Sequence, residues 1–354
     1  MDLLDESRYR PFRTLRARSA PVDVSIVVPL YNEEANIDEL HAEILDVLSG
    51  DPRLHELIYV VDGCSDGTAE RLCRASRGDS RVLIVELARR FGQTAALACG
   101  FRCARGRLIV PMDGDLQHDP RDIPRLVEKL ESSSLHDVVS GWRRNRKDRL
   151  ITRRLPSKIA NFLIRRLTRT PEVHDFGCTL KAYRREVLER IELHGELHRF
   201  LPAICKWQGA RITEIEVNHR HRRRGRSKYG LRRTFKVLLD LITVKFLGDY
   251  LTKPIYFFGK AAFCTLAASF ASLGLAVAQK LGFLTRAPVP LNRNVLVLFA
   301  MMLFLVAFLL VMMGVLSELL VRIYHQTDRG SYPRVRRMTR GDEVEDTPPV
   351  DPGA

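Results

Sequence analysis

Four short apolar runs, each closed by polar or glycine-rich residues, set the tightest limit on how this chain can fold. Val24 to Pro29, Leu57 to Val61, Val82 to Leu87 and Leu108 to Val110 are buried-strand candidates. After the first, Ile37, Leu40, Ile44, Leu45 and Leu48 fall on one face of a helix. A helix of small residues ending near Gly106 follows the third. Strand and helix alternate from about residue 24 to 131, which predicts an α/β domain with a doubly wound, mostly parallel sheet. Polar residues at four strand ends then gather on one rim, the carboxyl edge where open α/β sheets bind ligands.

The richest of these ends is Pro111-Met112-Asp113-Gly114-Asp115-Leu116-Gln117. Two carboxylates at i and i+2, with an amide two further on, offer only oxygen donors. That set suits Mg²⁺ or Mn²⁺, which takes one or two carboxylates plus substrate phosphates. Such a cation neutralises charge on a departing diphosphate. Alone, Asp-x-Asp is more often a polar loop or a helix cap; the other strand ends give it weight.

Those ends are Val28-Pro29-Leu30-Tyr31-Asn32-Glu33 and Asp62-Gly63-Cys64-Ser65-Asp66-Gly67-Thr68. Together with Asp113-Gly114-Asp115-Leu116-Gln117 they resemble the family 2 glycosyltransferases with a GT-A (Rossmann-like) fold. The similar subset transfers sugars to polyprenyl phosphates and includes dolichyl-phosphate mannose synthases and bacterial undecaprenyl-phosphate sugar transferases. It spans roughly residues 22 to 335. The resemblance implies that Pro29, Tyr31, Glu33 and Asp62 hold the nucleoside of a nucleoside-diphosphate sugar. It implies that Asp113 contacts the nucleotide, and that Asp115 and Gln117 bind the metal. Two positions depart from the family's habit. Val61 stands where an aspartate often precedes the turn, and Arg90 where an asparagine often precedes Phe91-Gly92. Both bear on the choice of donor base.

Arginine forks bind a phosphate monoester bidentately and stay charged. The region Trp142-Arg143-Arg144 and Arg153-Arg154-Leu155-Pro156-Ser157 supplies them. By resemblance Arg143, Arg153 and Ser157 hold the lipid phosphate, with Arg154 the alternative to Arg153. The segment His174 to Lys181 resembles one lining the family's active site, with His174 a structural or supporting residue. Gly225 to Tyr229 resembles a loop that closes over both phosphates, which assigns Arg224 and Lys228 to the acceptor site.

Two later runs are apolar on every face. Ala261 to Ala278 would form about 27 Å of helix, against a hydrocarbon core of about 30 Å. Val295 to Ser317 is longer, and neither run holds a charge. They predict a transmembrane hairpin with spans at about 257–279 and 295–318. Arg232, Arg233, Lys236, Lys245 and Lys253 precede it, and Arg322, Arg329, Arg334, Arg336 and Arg337 follow it. The connecting loop has only Lys280, Arg286 and Arg293, so both ends are expected in the cytoplasm at the inner membrane. Residues 1 to 20 are polar and Arg-rich, without the apolar core of a signal peptide.

The formal net charge of +15 calls for an anionic partner. Its densest run is His219 to Tyr229, ahead of an amphipathic segment with Leu231, Phe235, Leu238, Leu239 and Ile242 at helical spacing. That pattern predicts an interfacial helix on an anionic bilayer surface. Nucleic acid is not expected, since no stacking motif or helix-turn-helix accompanies the charge. Seven scattered cysteines without a C-x-x-C pair predict neither a disulfide frame nor a zinc site. The expected organisation is an N-terminal arm (1–21), a catalytic domain (22–228), a juxtamembrane segment (229–256), the hairpin (257–324) and a cytoplasmic tail (325–354). Beyond about Met338 the tail is acidic and rich in Pro and Gly, and is expected to be disordered.

These features imply a metal-dependent, inverting transfer of a sugar to a polyprenyl phosphate, with a UDP-sugar favoured over GDP-mannose. The resemblance also allows a homo-oligomer, a tetramer. A processive polysaccharide synthase would need a Gln-x-x-Arg-Trp motif, which is absent; Trp207 lies in Cys205-Lys206-Trp207-Gln208. A non-enzymatic membrane scaffold of the same fold is the rival of another class.

Overall fold

The computed structural model describes residues 21–144, 155–189, 191, 193, 195, 197–220, 254–283, 290–327, 335–340 and 343–346. The chain divides into two units, Met1–Val244 with Ser331–Ala354, and Lys245–Gly330.

The first unit is built on a sheet. Its first four strands are β1 (Val24–Leu30), β2 (His55–Val61), β3 (Val82–Leu87) and β4 (Leu108–Pro111). They are followed by β5 (Val138–Trp142), β6 (Lys181–Arg184), β7 (Ile212–Glu216), β8 (Val335–Arg340) and β9 (Glu343–Asp346). Among the described residues the order is β7-β5-β6-β4-β1-β2-β3-β8-β9. The pairings run β1 to β5, β7 and β9 in one direction and β6 and β8 in the other, so the sheet is mixed but mostly parallel.

Helices α1 (Ile37–Ser49), α2 (Thr68–Ala75), α3 (Gln93–Cys103) and α4 (Asp122–Glu131) connect the early strands. α5 (Leu155–Thr168), the single turn α6 (Arg185–Leu188) and α7 (Leu201–Trp207) follow. Side chains alternate across a strand, so each central strand feeds two cores. Ile26, Val28, Leu57 and Tyr59 pack with Leu40 and Ile44 of α1 and Leu126 of α4. Val27, Ile58, Val60 and Val85 pack on the other face with Ala96, Leu97 and Cys99 of α3. Burying a Val, Leu or Ile fully stabilises by about 1.5–3 kcal/mol, which is why β1 and β2 are mostly apolar, with their buried polar residues Ser25, His55 and Glu56 confined to the strand starts. Strand order reverses between β1 and β4, which places the switch-point crevice at their carboxyl ends.

β8 and β9 correct the expectation of disorder beyond about Met338 as far as Asp346; residues 347–354 lie outside the described residues. β8 lies antiparallel on the edge of β3, with Val335 and Met338 buried in the second core. β9 pairs with β8 in a register that sets Arg337 opposite Asp346 and Arg340 opposite Glu343. Composition alone misjudged this segment because a basic strand pairs with the acidic one, and opposite charges across a ladder are favourable. Arg340 Nη2 also reaches Glu56 Oε2 (3.5 Å), a carboxylate already held by Arg105 Nε (2.7 Å) and Ser25 Oγ (2.7 Å).

The second unit holds α8 (Ile255–Lys280) and α9 (Val295–Thr327), both long and apolar enough to cross a membrane. α8 starts and ends slightly beyond the expected 257–279, and α9 starts at the expected residue 295 but runs past 318. Small residues form the seam: Ala262, Ser269, Ser272 and Ala276 on α8, Ala300 and Ala307 on α9 are buried. Ser269 Oγ donates to Ala300 O (2.7 Å) and Ser272 Oγ to Leu296 O (3.0 Å), bonds that replace water in an apolar phase. Large apolar side chains such as Phe263, Phe270, Leu298 and Leu305 point outward. The amphipathic segment Leu231 to Leu251 and the run 221–229 lie outside the described residues.

Candidate active site

The β1–α1 and β2–α2 loops are stapled to each other. Asn32 takes a left-handed backbone (φ 53°); its Nδ2 donates to Ser65 Oγ (3.1 Å) and its Oδ1 accepts from Ser65 N (3.0 Å). Glu34 Oε2 accepts from Gly67 N (3.1 Å), and Asp66 Oδ2 accepts from Glu34 N (3.3 Å). Pro29, Tyr31, Glu33 and Asp62 therefore sit together at the ends of two neighbouring strands. Glu33 Oε2 is held by Asn36 Nδ2 (2.6 Å).

Asp62 is buried and clamps the next loop: its carboxylate accepts from Phe91 N (2.6 Å) and Gly92 N (2.8 Å). Gly63 permits that closeness. Its φ is +57°, and a Cβ there would lie 2.3 Å from the backbone of Arg89 and Arg90. Arg90, the departure noted above, places its guanidinium 4.1 Å from the centroid of the Tyr31 ring, a cation–π contact.

Asp113 stands at the end of β4 with its side chain 28% exposed. Gln93 Nε2 donates to its Oδ1 (2.8 Å), and Thr179 Oγ1 to its Oδ2 (2.9 Å). His118 Nε2 lies 3.4 Å from Oδ2. Burial works to raise the Asp113 pKa, but the His118 contact, the Thr179 bond and the charge of Arg143 outweigh it and lower it to about 2. The group is thus an anion at neutral pH. Gln93, Thr179 and His118 were not assigned from the sequence; the nearest signal was that Gln93 closes one strand-end motif and Thr179 falls within the 174–181 segment.

Asp115 and Gln117 flank Leu116, whose φ is 60° and whose side chain is buried in the first core. Anchoring that leucine turns its neighbours to the rim, where both are partly exposed. A non-glycine residue at positive φ costs on the order of 1–3 kcal/mol and persists where the surroundings dictate it. Asp115 Oδ1 accepts from Gln117 N (3.2 Å). Among the described residues no three His, Cys, Asp or Glu side chains cluster as a closed metal site. Two carboxylates and an amide fit a hard cation that draws its remaining oxygens from a diphosphate. Next door, Gln117 O accepts from Arg220 N (2.9 Å), and Arg220 bridges to Asp119 (2.8 Å) and Glu43 (2.6 Å). The basic run beginning at His219 therefore starts beside this turn.

Arg143 forks onto Asp175, Nε to Oδ2 (2.7 Å) and Nη2 to Oδ1 (3.1 Å), with both side chains nearly buried. Burial alone would lower its pKa; Asp175 reverses that and raises it. The pair occupies the Nε–Nη2 edge of the guanidinium. Ser157 falls in the first turn of α5. Arg153, Arg154, Arg224 and Lys228 lie outside the described residues. His174 stacks on Trp142 (4.6 Å) and bonds Glu214 through Nδ1 (2.7 Å), which gives it a structural role.

Comparison with known proteins places this geometry. The model of "Glycosyl transferase family 2" matches residues 25–192. Dodecaprenyl-phosphate galacturonate synthase of Rhizobium johnstonii is 38% identical over 340 residues, 94% of this chain and 98% of that protein. Undecaprenyl-phosphate 4-deoxy-4-formamido-L-arabinose transferase of Salmonella choleraesuis is 34% identical over 309 residues, 87% of this chain and 91% of that protein. Among solved structures, glucosyl-3-phosphoglycerate synthase from Mycobacterium tuberculosis, in complex with Mn²⁺ and UDP-glucose, matches with a TM-score of 0.52 and 21% identity. That match covers 66% of this chain and 82% of the other, and it shows the shared GT-A fold. With a relative alike over nearly the whole of both chains, this protein belongs to glycosyl transferase family 2.

Proposed function

We propose that this protein transfers a sugar from a nucleoside diphosphate, a UDP-sugar before GDP-mannose, to a polyprenyl phosphate at the cytoplasmic face of the inner membrane. The observation that carries the reading is the similarity to a polyprenyl-phosphate sugar synthase along 94% of this chain, apolar helices included. The site's chemistry agrees with it.

The lipid phosphate oxygen attacks the anomeric carbon, the bond from that carbon to the diphosphate oxygen breaks, and the sugar's configuration inverts. A phosphate monoester has a second pKa of about 6, so the nucleophile is already largely a dianion at neutral pH. A strong protein base is therefore unnecessary. What remains for the protein is orientation and charge. Tyr31, Glu33 and the Asp62-clamped loop would hold the nucleoside, and Arg143, with Arg153, Ser157, Arg224 and Lys228, would hold the lipid phosphate. Asp115 and Gln117, beside Asp113, would hold Mg²⁺ or Mn²⁺, which supplies charge neutralisation at the diphosphate when bound.

The test is a donor screen with purified full-length protein, Mn²⁺ or Mg²⁺ and undecaprenyl phosphate, including a UDP-uronic acid, other UDP-sugars and GDP-mannose. The proposal expects one donor to release its nucleotide only when lipid phosphate and metal are both present. No release from any donor, together with no nucleotide binding, would favour a scaffold instead.

A further inference from the structure

The Asp113 carboxylate is tied to both sides of the crevice. On one side Gln93, the first residue of α3, follows directly on Gly92, whose amide is fixed by Asp62. On the other, Thr179 lies four residues beyond Asp175, the partner of Arg143. A continuous chain of contacts thus runs from Asp62 through the 91–93 loop to Asp113, and from Asp113 through the 175–179 segment to Arg143. Each bond takes a different oxygen, so the carboxylate cannot rotate without breaking one. An ionised carboxylate offers about four lone-pair sites; Gln93 takes one on Oδ1, while Oδ2 serves Thr179 and also faces His118 Nε2 at 3.4 Å.

We infer that Gln93 and Thr179 are positioning residues, which hold the Asp113 carboxylate in one orientation and so couple the nucleotide side of the site to the acceptor side. This assignment rests on the function proposed above. Neither residue needs to touch substrate; each acts through Asp113. The bonds are charge-assisted, and losing one is expected to lower nucleotide affinity and turnover by about tenfold.

The experiment is a double-mutant cycle on the full-length protein. It is read by calorimetric binding of UDP and GDP with Mn²⁺ and by initial rates with the donor that the screen identifies. Thr179→Val and Gln93→Leu should each weaken nucleotide binding about tenfold in the wild-type background. Each should have little further effect in the Asp113→Asn background, because the partner charge is gone. Thr179→Ser, which keeps the hydroxyl, should restore binding, and melting temperature should separate lost positioning from lost fold. Unchanged binding in Thr179→Val and Gln93→Leu, or equal losses with and without the Asp113 charge, overturns the assignment while leaving the proposed function standing. A wild-type protein that binds neither nucleotide overturns both.

Discussion

At the scale of single residues, what could be read from the sequence is what lies close along it. Asp113, Asp115 and Gln117 were legible because the turn that gathers them is five residues long. Gln93 and Thr179 were not, since they meet Asp113 across 20 and 66 residues of chain and only the fold brings them there. Asp62, expected to hold the nucleoside, has a further role that the sequence did not show: its carboxylate accepts from the Phe91 and Gly92 amides. Asp115→Ala should abolish metal-dependent turnover while leaving the melting temperature near that of the wild type; normal turnover would refute Asp115 as a metal ligand. Gly63→Ala, by contrast, acts on the fold. Left-handed backbone and contact with the Arg89–Arg90 backbone together should cost more than about 2 kcal/mol, read by denaturant unfolding.

At the scale of elements, the alternation of β1 to β4 with their helices was plain, because two-sided burial demands unbroken apolar runs. β8 and β9 were hidden. Next to the edge, β8 buries few side chains, here Val335, Met338 and Thr339, and the acidic run that follows it made the tail read as unstructured. The pairing of β8 with β3 has a direct consequence for stability. Met338→Ala, in a residue 2% exposed, should lower the unfolding free energy of the sheet-bearing unit by about 2–3 kcal/mol, although it lies beyond both apolar helices in sequence. A neutral effect in denaturant titration would mean that β8 does not belong to that core.

At the scale of the whole molecule, the apolar helices are an excursion between β7 and β8, two strands of one sheet. If both helices cross the membrane as proposed, two spans would return the chain to the side it left, in agreement with the Lys and Arg bias. A single cysteine at position 288, in a background without the native cysteines, should react from the periplasmic side with a membrane-impermeant maleimide. One at position 77, in the catalytic unit, should not; the reverse pattern would invert the topology.

The most direct measurement is the identity of the nucleotide released when the full-length protein turns over its donor with polyprenyl phosphate. Glycosyl transfer to the lipid phosphate breaks the bond at the anomeric carbon, so the account predicts a nucleoside diphosphate, equimolar with a lipid that carries one phosphate and one sugar. A nucleoside monophosphate, paired with a lipid carrying two phosphates, would mean attack at phosphorus and would contradict it.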